Sequence, residues 1–401
     1  MIGTDSRLCP ICGGNDRRIV YRQRFMDGPM GDGYNVVVCS QCGAGFADEI
    51  PSQAEMDRYY AEQSKYAYDH RDGAESPWDL RRFEATAEQI MPYLKSRDVR
   101  VLDIGCATGG LLSVFKRKGF ENVIGVDPSP ACAAAARRLY GVTVRTATLA
   151  QMGDWGERFD LIMMLGVLEH LRDLKIAVNT AVHLLNPGGL MYCAVPDVEG
   201  LTACPNAPYQ QFSVEHVNFF SGTSLNRLMA EMGMGEIHVW NWRIEWREDV
   251  QEPIVGGLYE RRPAPDRPFD ATTESALLRY LAFSAKRDEE IIVAVESLII
   301  SREPIIVWGV GTLARRLLAC TRFGELNIVA FVDSNPHVQG ISLAGKSVLN
   351  PTQIASRNET ILVCSISFAA EIATAIRCQY RLRNRILSLL GRALQEGELA
   401  I

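Results

Sequence analysis

The stretch Val101-Leu102-Asp103-Ile104-Gly105-Cys106-Ala107-Thr108-Gly109-Gly110-Leu111 constrains the fold of this chain more than any other. It reads as a buried strand, a glycine turn and the first turn of a helix, the arrangement by which a doubly wound α/β sheet opens a ligand site at its carboxyl edge. Gly105 and Gly109 carry no Cβ, so the backbone can pass close to a ligand there. The spacing D-x-G-x-x-x-G is not the G-x-G-x-x-G of a dinucleotide binder. A second strand is expected over Asn122-Val123-Ile124-Gly125-Val126. Asp127 stands at its end, about twenty residues after the glycines, where a carboxylate can accept both hydroxyls of a ribose.

Taken together, these two halves resemble the signature of the class I S-adenosylmethionine-dependent methyltransferases. The residues that follow extend the likeness. Pro128-Ser129 opens an alanine-rich helix, Val142-Thr143-Val144 reads as a third strand, and Phe159 to Met164 reads as a fourth that runs into Gly166-Val167-Leu168-Glu169-His170-Leu171. Asn186-Pro187-Gly188-Gly189 is a helix stop before the strand Leu190 to Val195. The phrases FDLI…LGVLEHL and LLNPGGL are typical of small-molecule methyltransferases, so the resemblance spans roughly residues 97–242. It implies S-adenosyl-L-methionine as cofactor, held by Asp103, Gly105, Gly109, Asp127, Thr148, Leu165 and His170, with Thr148 in the loop along the adenine edge and His170 in a positioning role.

The net charge of -6 argues against a nucleic-acid surface, since such domains usually carry a basic patch. No apolar run approaches the roughly eighteen residues of a membrane helix, and the amino terminus lacks the pattern of a signal peptide. A cytoplasmic protein acting on small molecules is therefore expected. Of the 11 cysteines, seven are scattered, as small hydrophobes would be in a reducing compartment. The other four form two knuckles, Cys9-Pro10-Ile11-Cys12 and Cys39-Ser40-Gln41-Cys42, each followed by glycine. A redox C-x-x-C accounts for one knuckle but not a matched pair, and four thiolates leave no open position for catalysis. The expectation is a structural Zn2+ in a small ribbon.

Beyond the ribbon, Tyr59, Tyr60, Tyr66 and Tyr68 lie beside Lys65, as a lid over a substrate or as one face of a helix buried in an interface. His216, in Ser213-Val214-Glu215-His216-Val217-Asn218-Phe219-Phe220, follows a loop, Pro196 to Gln211, of the kind that lines a substrate pocket. A histidine beside a carboxylate can abstract a proton near pH 7. Positional and basic roles both stay open for it. Residues 252–270 hold Pro253, Pro263, Pro265 and Pro268 and read as a linker, and Ser275 to Ser301 as a long helix with Leu278, Leu281, Ala282, Ala285, Ile292, Val295 and Leu298 on one side. Next comes a second βαβ unit. Its turn, Gly309, Gly311 and Ala314, has the G-x-G-x-x-A form, with Asp333 closing the next strand. A nucleotide-binding role, a nicotinamide cofactor and a purely structural sheet are all compatible with it.

The order of zinc ribbon, methyltransferase and small Rossmann-like domain is similar to that of the deoxysugar C-methyltransferases. Ala107-Thr108 and the Thr312-Leu313-Ala314-Arg315 loop depart from that family's pattern. The resemblance implies an α/β chain with a class I methyltransferase (Rossmann-like) core, divided as residues 1–58, zinc-binding ribbon; 59–96, aromatic connector; 97–245, cofactor-binding domain; 246–302, linker and long helix; and 303–401, nucleotide- or substrate-binding domain. It implies carbon methylation of a nucleotide-linked keto-deoxysugar, with His216 as base, Glu215 orienting it, Tyr66 or Tyr68 donating to the oxyanion, and Gly309, Gly311 and Asp333 at the nucleotide. O- or N-methylation of another small molecule, and a non-catalytic nucleotide sensor, are the other readings.

Overall fold

The computed structural model describes residues 3–62, 74–153, 155–204, 206–247, 250–263 and 267–394. In chain order the strands of the first two sheets are β1 (Arg17–Arg24), β2 (Gly33–Cys39), β3 (Gly45–Asp48), β4 (Val101–Ile104), β5 (Val123–Asp127), β6 (Thr143–Thr146), β7 (Phe159–Leu165), β8 (Leu185–Pro196), β9 (Asn218–Phe219), β10 (Met234–Arg247) and β11 (Val250–Arg261). The helices among them are α1 (Gln53–Glu62), α2 (Pro77–Ile90), α3 (Gly110–Arg117), α4 (Pro130–Tyr140), α5 (Leu174–His183) and α6 (Gly222–Glu231).

Seven strands form the central sheet in the order β10-β11-β8-β7-β4-β5-β6. The five from β8 to β6 run parallel. Parallel strands need helical crossovers, which cover both faces of the sheet, and the wholly buried sequence Val101-Leu102-Asp103-Ile104 of β4 suits its middle position. Helix α2 starts where Ser76 Oγ accepts from Asp79 N (3.0 Å) while Asp79 returns its carboxylate to Ser76 N (3.2 Å), with Pro77 preset for the first turn. This is the Rossmann-like α/β core that the glycine turn predicts.

The supposed linker is where the structure departs most from the expectation. Residues 250–261 are β11, which pairs antiparallel with β8 on one side and with β10 on the other. Pro253 is tolerated because it sits near the strand's start, and the remaining three prolines lie past its end. Beyond them Asp270 acts as a bolt. Its carboxylate accepts from Ser221 Oγ (2.6 Å) and Thr273 Oγ1 (2.6 Å), and its backbone N–H donates to Cys42 O (2.9 Å).

Nor does the amino-terminal sheet, β1-β2-β3-β9, stand apart as a ribbon with its own core. Its last strand, β9, comes from the connection between β8 and β10 of the central sheet, pairing Gly45 with Phe219. Cys9, Ile11, Cys39, Cys42, Ala44 and Phe46 share one apolar cluster with Leu102, Ile104, Phe220 and Leu225. Arg7, buried over the Phe46 ring, fastens the two parts by donating to Ala47 O (2.8 Å), Arg172 O (2.8 Å), Val217 O (2.6 Å) and Asn218 Oδ1 (2.9 Å). Burial lowers its guanidinium to about 9. Residues 1–58 and 97–245 thus share a single packed unit.

Helix α7 (Thr273–Ser301) leads to the third sheet and buries Val295 and Leu298 of the expected stripe, but as far as Ile292 it turns in a different face from the one its apolar residues suggest. Leu278 and Ile292 are exposed, whereas Leu277, Tyr280, Ser284, Asp288, Ile291, Val295 and Leu298 are buried. Polar members of that stripe have partners: Ser284 Oγ accepts from Tyr209 N (3.1 Å), and Asp288 takes the fork of buried Arg316. A hydrophobicity pattern cannot anticipate a face completed by hydrogen bonds across the chain. The third sheet comprises β12 (Ile305–Trp308), β13 (Ile328–Val332), β14 (Ser342–Leu343), β15 (Lys346–Leu349), β16 (Thr360–Val363) and β17 (Ile386–Ser388), ordered β14-β15-β13-β12-β16-β17. Helices α8 (Thr312–Cys320) and α9 (Ala369–Thr374) belong to it.

Candidate active site

The parallel strands bring the expected cofactor residues to one edge. Asp103 lies in β4, Gly105 and Gly109 in the turn after it, Asp127 ends β5, Thr148 follows β6, Leu165 ends β7 and His170 lies just beyond. Gly105 has φ +71°, and a Cβ there would stand 2.5 Å from Val167 Cγ2, so only glycine fits. Ala107 takes a left-handed φ of +48°. Its N–H donates to Asp127 Oδ2 (3.0 Å), while Ser129 N donates to Oδ1 (2.9 Å). Asp127 therefore holds the turn open, and an ionised carboxylate has lone pairs left for ribose hydroxyls.

Burial, followed by the charge of Asp127, pushes the carboxyl of Asp103 up to about 8, and burial raises Asp127 as well. Both carboxyls are thus raised by burial at the same sheet edge. A further residue, which carries no motif of its own, completes the turn. Glu75 Oε1 accepts from Thr108 Oγ1 (2.5 Å) and lies 2.5 Å from where a Cβ on Gly110 would be. The only hint in the sequence is the capping box that starts immediately after it and sets the path of its loop.

Beside this turn sits a compact polar cluster. Glu169, His170 and His216 each place a side-chain nitrogen or oxygen within 4.8 Å of the others. The rings of His170 and His216 meet edge to face at 4.9 Å. Glu169 is buried, which pushes its carboxyl up to about 8, and its Oε2 has no hydrogen-bond partner among the described residues. His170 Nδ1 lies 3.0 Å from Tyr60 Oη and 3.1 Å from Glu215 O.

Glu215 does not take the orienting role expected of it. Its carboxylate accepts from Tyr59 Oη (2.9 Å), and His216 Nδ1 instead meets Gln211 Oε1 (3.1 Å). The cause is local: Ser213 Oγ accepts from both Glu215 N (3.2 Å) and His216 N (3.1 Å), curling the chain so that consecutive side chains diverge. Tyr66 and Tyr68 lie outside the described residues. From the same aromatic segment, Tyr59 and Tyr60 of α1 reach the cluster.

Comparison with known proteins decides what the edge belongs to. A family model described as a methyltransferase domain matches residues 76–238. Residues 76–238 are a methyltransferase domain. The ubiquinone biosynthesis O-methyltransferase of Azorhizobium caulinodans is 36% identical over 117 residues, 28% of this chain and 45% of that protein. Its namesake from Agrobacterium fabrum is 41% identical over 101 residues, 24% of this chain and 40% of that protein. The chain thus spans less than half the length of these curated relatives. Among solved structures, the PH0226 protein from Pyrococcus horikoshii aligns over 51% of this chain and 99% of its own, at 20% identity and a TM-score of 0.40. Outside the methyltransferase domain, a second model, described as C2185-like, N-terminal, matches residues 301–386.

Packed against the methyltransferase domain are the two cysteine knuckles, which repeat one geometry. Gly13 N donates to Cys9 O and Gly43 N to Cys39 O, both at 2.9 Å, and both glycines have φ +80°. The four sulfurs lie within 4.8 Å of one another, with Cys9–Cys42 at 3.6 Å and Cys12–Cys39 at 3.5 Å. Thiolates about 2.3 Å from a tetrahedral ion stand about 3.8 Å apart, so the sulfurs fit zinc. In the carboxyl-terminal sheet Gly309, Gly311 and Asp333 do come together: Asp333 Oδ2 accepts from Val310 N (2.9 Å), and a Cβ on Gly311 would meet nothing within 4 Å. No helix among the described residues is long and apolar enough to cross a membrane.

Proposed function

We propose that this protein transfers the methyl group of S-adenosylmethionine to a small molecule, with His216 as general base. The observation that carries the reading is the pairing of the Asp127-braced glycine turn with a histidine cluster at the same sheet edge. The sulfonium methyl is already activated when the cofactor is bound. The protein's own task is to hold an acceptor in line with it and remove a proton. Gly105, Gly109 and Asp127 hold the cofactor, and Tyr60 and His170 face the acceptor together with His216. Cys9, Cys12, Cys39 and Cys42 hold a structural zinc ion that takes no part in the chemistry.

The finer reading is carbon methylation of a keto-deoxysugar carried on a nucleoside diphosphate. The order of cysteine knuckles, methyltransferase domain and carboxyl-terminal sheet along the chain supports it, together with His216 beside His170. Here His216 would take the acidic C–H proton beside the ketone, leaving a carbon nucleophile in line with the methyl group that the cofactor, held by Gly105, Gly109 and Asp127, would supply. Gly309, Gly311 and Asp333 then hold the nucleotide, at the opening of α8 where the space beside Gly311 is free. The names of the relatives favour an O-methyl acceptor as the second reading.

The test uses nucleoside-diphosphate keto-deoxysugars and a catechol as alternative acceptors. With a keto sugar and S-adenosylhomocysteine alone, wild type exchanges the acidic hydrogen with deuterated solvent. His216→Asn loses that exchange and about two to four orders of magnitude in turnover, the usual share of a general base. Turnover retained in His216→Asn removes the base, and methylation of the catechol alone moves the reading to oxygen.

A further inference from the structure

We infer that Gln211 and Glu252 are positioning residues that lock the His216 imidazole in the tautomer with its proton on Nδ1. The inference rests on His216 acting as the base. Its observations are a chain of three side chains drawn from one loop, which carries Gln211 and His216, and one strand, which carries Glu252. Gln211, 7% exposed, donates from Nε2 to Glu252 Oε1 (2.6 Å). Its Oε1 lies 3.1 Å from His216 Nδ1. Glu252, in β11, also accepts from Trp246 Nε1 at its other oxygen (2.9 Å).

The logic of donors and acceptors fixes the direction of this chain. An ionised carboxylate can only accept, so Glu252 must face the amide's NH2 group. The amide oxygen is then turned toward the histidine, where it too can only accept. His216 Nδ1 must supply the proton, which leaves the ring's lone pair on Nε2. Fixing one ring nitrogen through a hydrogen bond at the other is how histidines are held ready for proton transfer. Here an amide meets Nδ1 and the charge of Glu252 lies one link further away.

The loop that carries Gln211 is held from outside the methyltransferase domain. Gln211 N donates to Tyr280 Oη of α7 (3.1 Å). Two residues earlier, Tyr209 adopts φ +58°. Its ring stacks on Tyr21 at 5.1 Å and lies 4.7 Å beneath the guanidinium of Arg316. A non-glycine residue in that conformation persists only where its surroundings over-determine it. Three parts of the fold thus converge on the placement of one amide.

The test reads protons rather than turnover. The full-length chain, labelled with 15N-histidine, gives long-range 1H–15N correlations that distinguish the two imidazole tautomers, and the His216 signals are assigned by their loss in His216→Asn. Wild-type His216 is expected as the Nδ1–H form almost exclusively. Gln211→Met, of similar size but without an acceptor, and Glu252→Gln, which frees the amide to flip, should each turn it into a mixture containing the Nε2–H form. A wild-type Nε2–H tautomer overturns the inference without any variant. So does an unchanged tautomer in Gln211→Met that melts as wild type does. Because no acceptor is needed, an Nδ1–H form alongside an active His216→Asn would instead remove the base reading and leave the relay standing.

Discussion

In the methyltransferase domain Asp127 accepts from Ala107 N (3.0 Å) and Ser129 N (2.9 Å); in the carboxyl-terminal sheet Asp333 accepts from Val310 N (2.9 Å) and Asn335 N (2.8 Å). The same brace is built twice, each time from the carboxylate that ends the second strand. What surrounds the two turns differs. Two residues before the first glycine the methyltransferase domain has buried Asp103, whereas the second unit has buried Val307. The first turn has Val167 against Gly105 and Glu75 against Thr108 and Gly110, and the strand next to it, β7, leads into His170. Behind Gly309 stands Arg315, buried, donating to Val310 O (3.0 Å) and reaching the carbonyls of Met26 and Asp27 in the hairpin between β1 and β2. The brace is therefore first a means of shaping a glycine turn, and chemistry depends on what else reaches the same edge.

Four measurements would break or sharpen this contrast. The largest effect is expected from Asp288→Ala, which strands the charge of buried Arg316. Removing one partner of such a pair costs about 3–5 kcal/mol, read from urea unfolding. The loss should appear in the unfolding of the carboxyl-terminal sheet, and a variant as stable as wild type would show that the pair holds nothing. Next, Asp127→Ala should weaken S-adenosylmethionine binding at least about tenfold in calorimetric titration, since a hydrogen bond to a charged group contributes roughly 1.5–3 kcal/mol. Asp333→Ala should leave that affinity unchanged, and equal losses in the two variants would dissolve the distinction.

Third, Gly105→Ala forces a side chain to φ +71° against Val167 and should cost about 1–2 kcal/mol in thermal melts. Gly311→Ala, at φ -73° and in open space, should stay within about 0.5 kcal/mol. Similar costs at both positions would mean that the second turn is as crowded as the first. The last is a slope with pH, small over any fraction of a unit. Asp103 keeps its proton when folded up to about 8 but loses it near 3.8 when unfolded, so the folded state binds more protons between those values. Stability is then full below pH 4 and falls as pH rises toward 8, by at most about 1.4 kcal/mol per pH unit. Asp103→Asn should flatten the decline, and an unaltered slope in that variant would place its source elsewhere.

What could be read from sequence was what depends on neighbours along the chain. The turn at Gly105, the place of Asp127 at the end of its strand and the pairing of the cysteine knuckles are set by residues a few positions apart, or by one βαβ unit of regular length; that Asp127 also braces the turn through Ala107 N and Ser129 N was not read from them. The surroundings of His216 are of another kind. Adjacency suggested Glu215 as its partner, yet one serine hydroxyl beneath the backbone sends the two side chains apart. The true partner's own anchor, Glu252, lies in a proline-bearing stretch that looked like a linker until it paired with β8. Likewise the buried face of α7 contains Ser284 and Asp288, whose partners on Tyr209 and Arg316 no helical periodicity reveals. Tertiary hydrogen bonds, rather than any weakness of local signals, account for most of what sequence reasoning missed.

The closure of the amino-terminal sheet by β9 has a consequence for synthesis. Gly45 leaves the ribosome roughly 170 residues before its pairing partner Phe219. At about 5–20 residues per second, the edge of β3 waits unpaired for roughly 9 to 35 seconds. Arg7 waits longer still for the carbonyl of Val217. During that interval the nascent segment exposes a strand edge and the apolar side of Phe46, both of which invite pairing with other chains. The amino-terminal sheet is thus finished only after β8 has been made, so the yield of native protein depends on how that unfinished edge is shielded during translation.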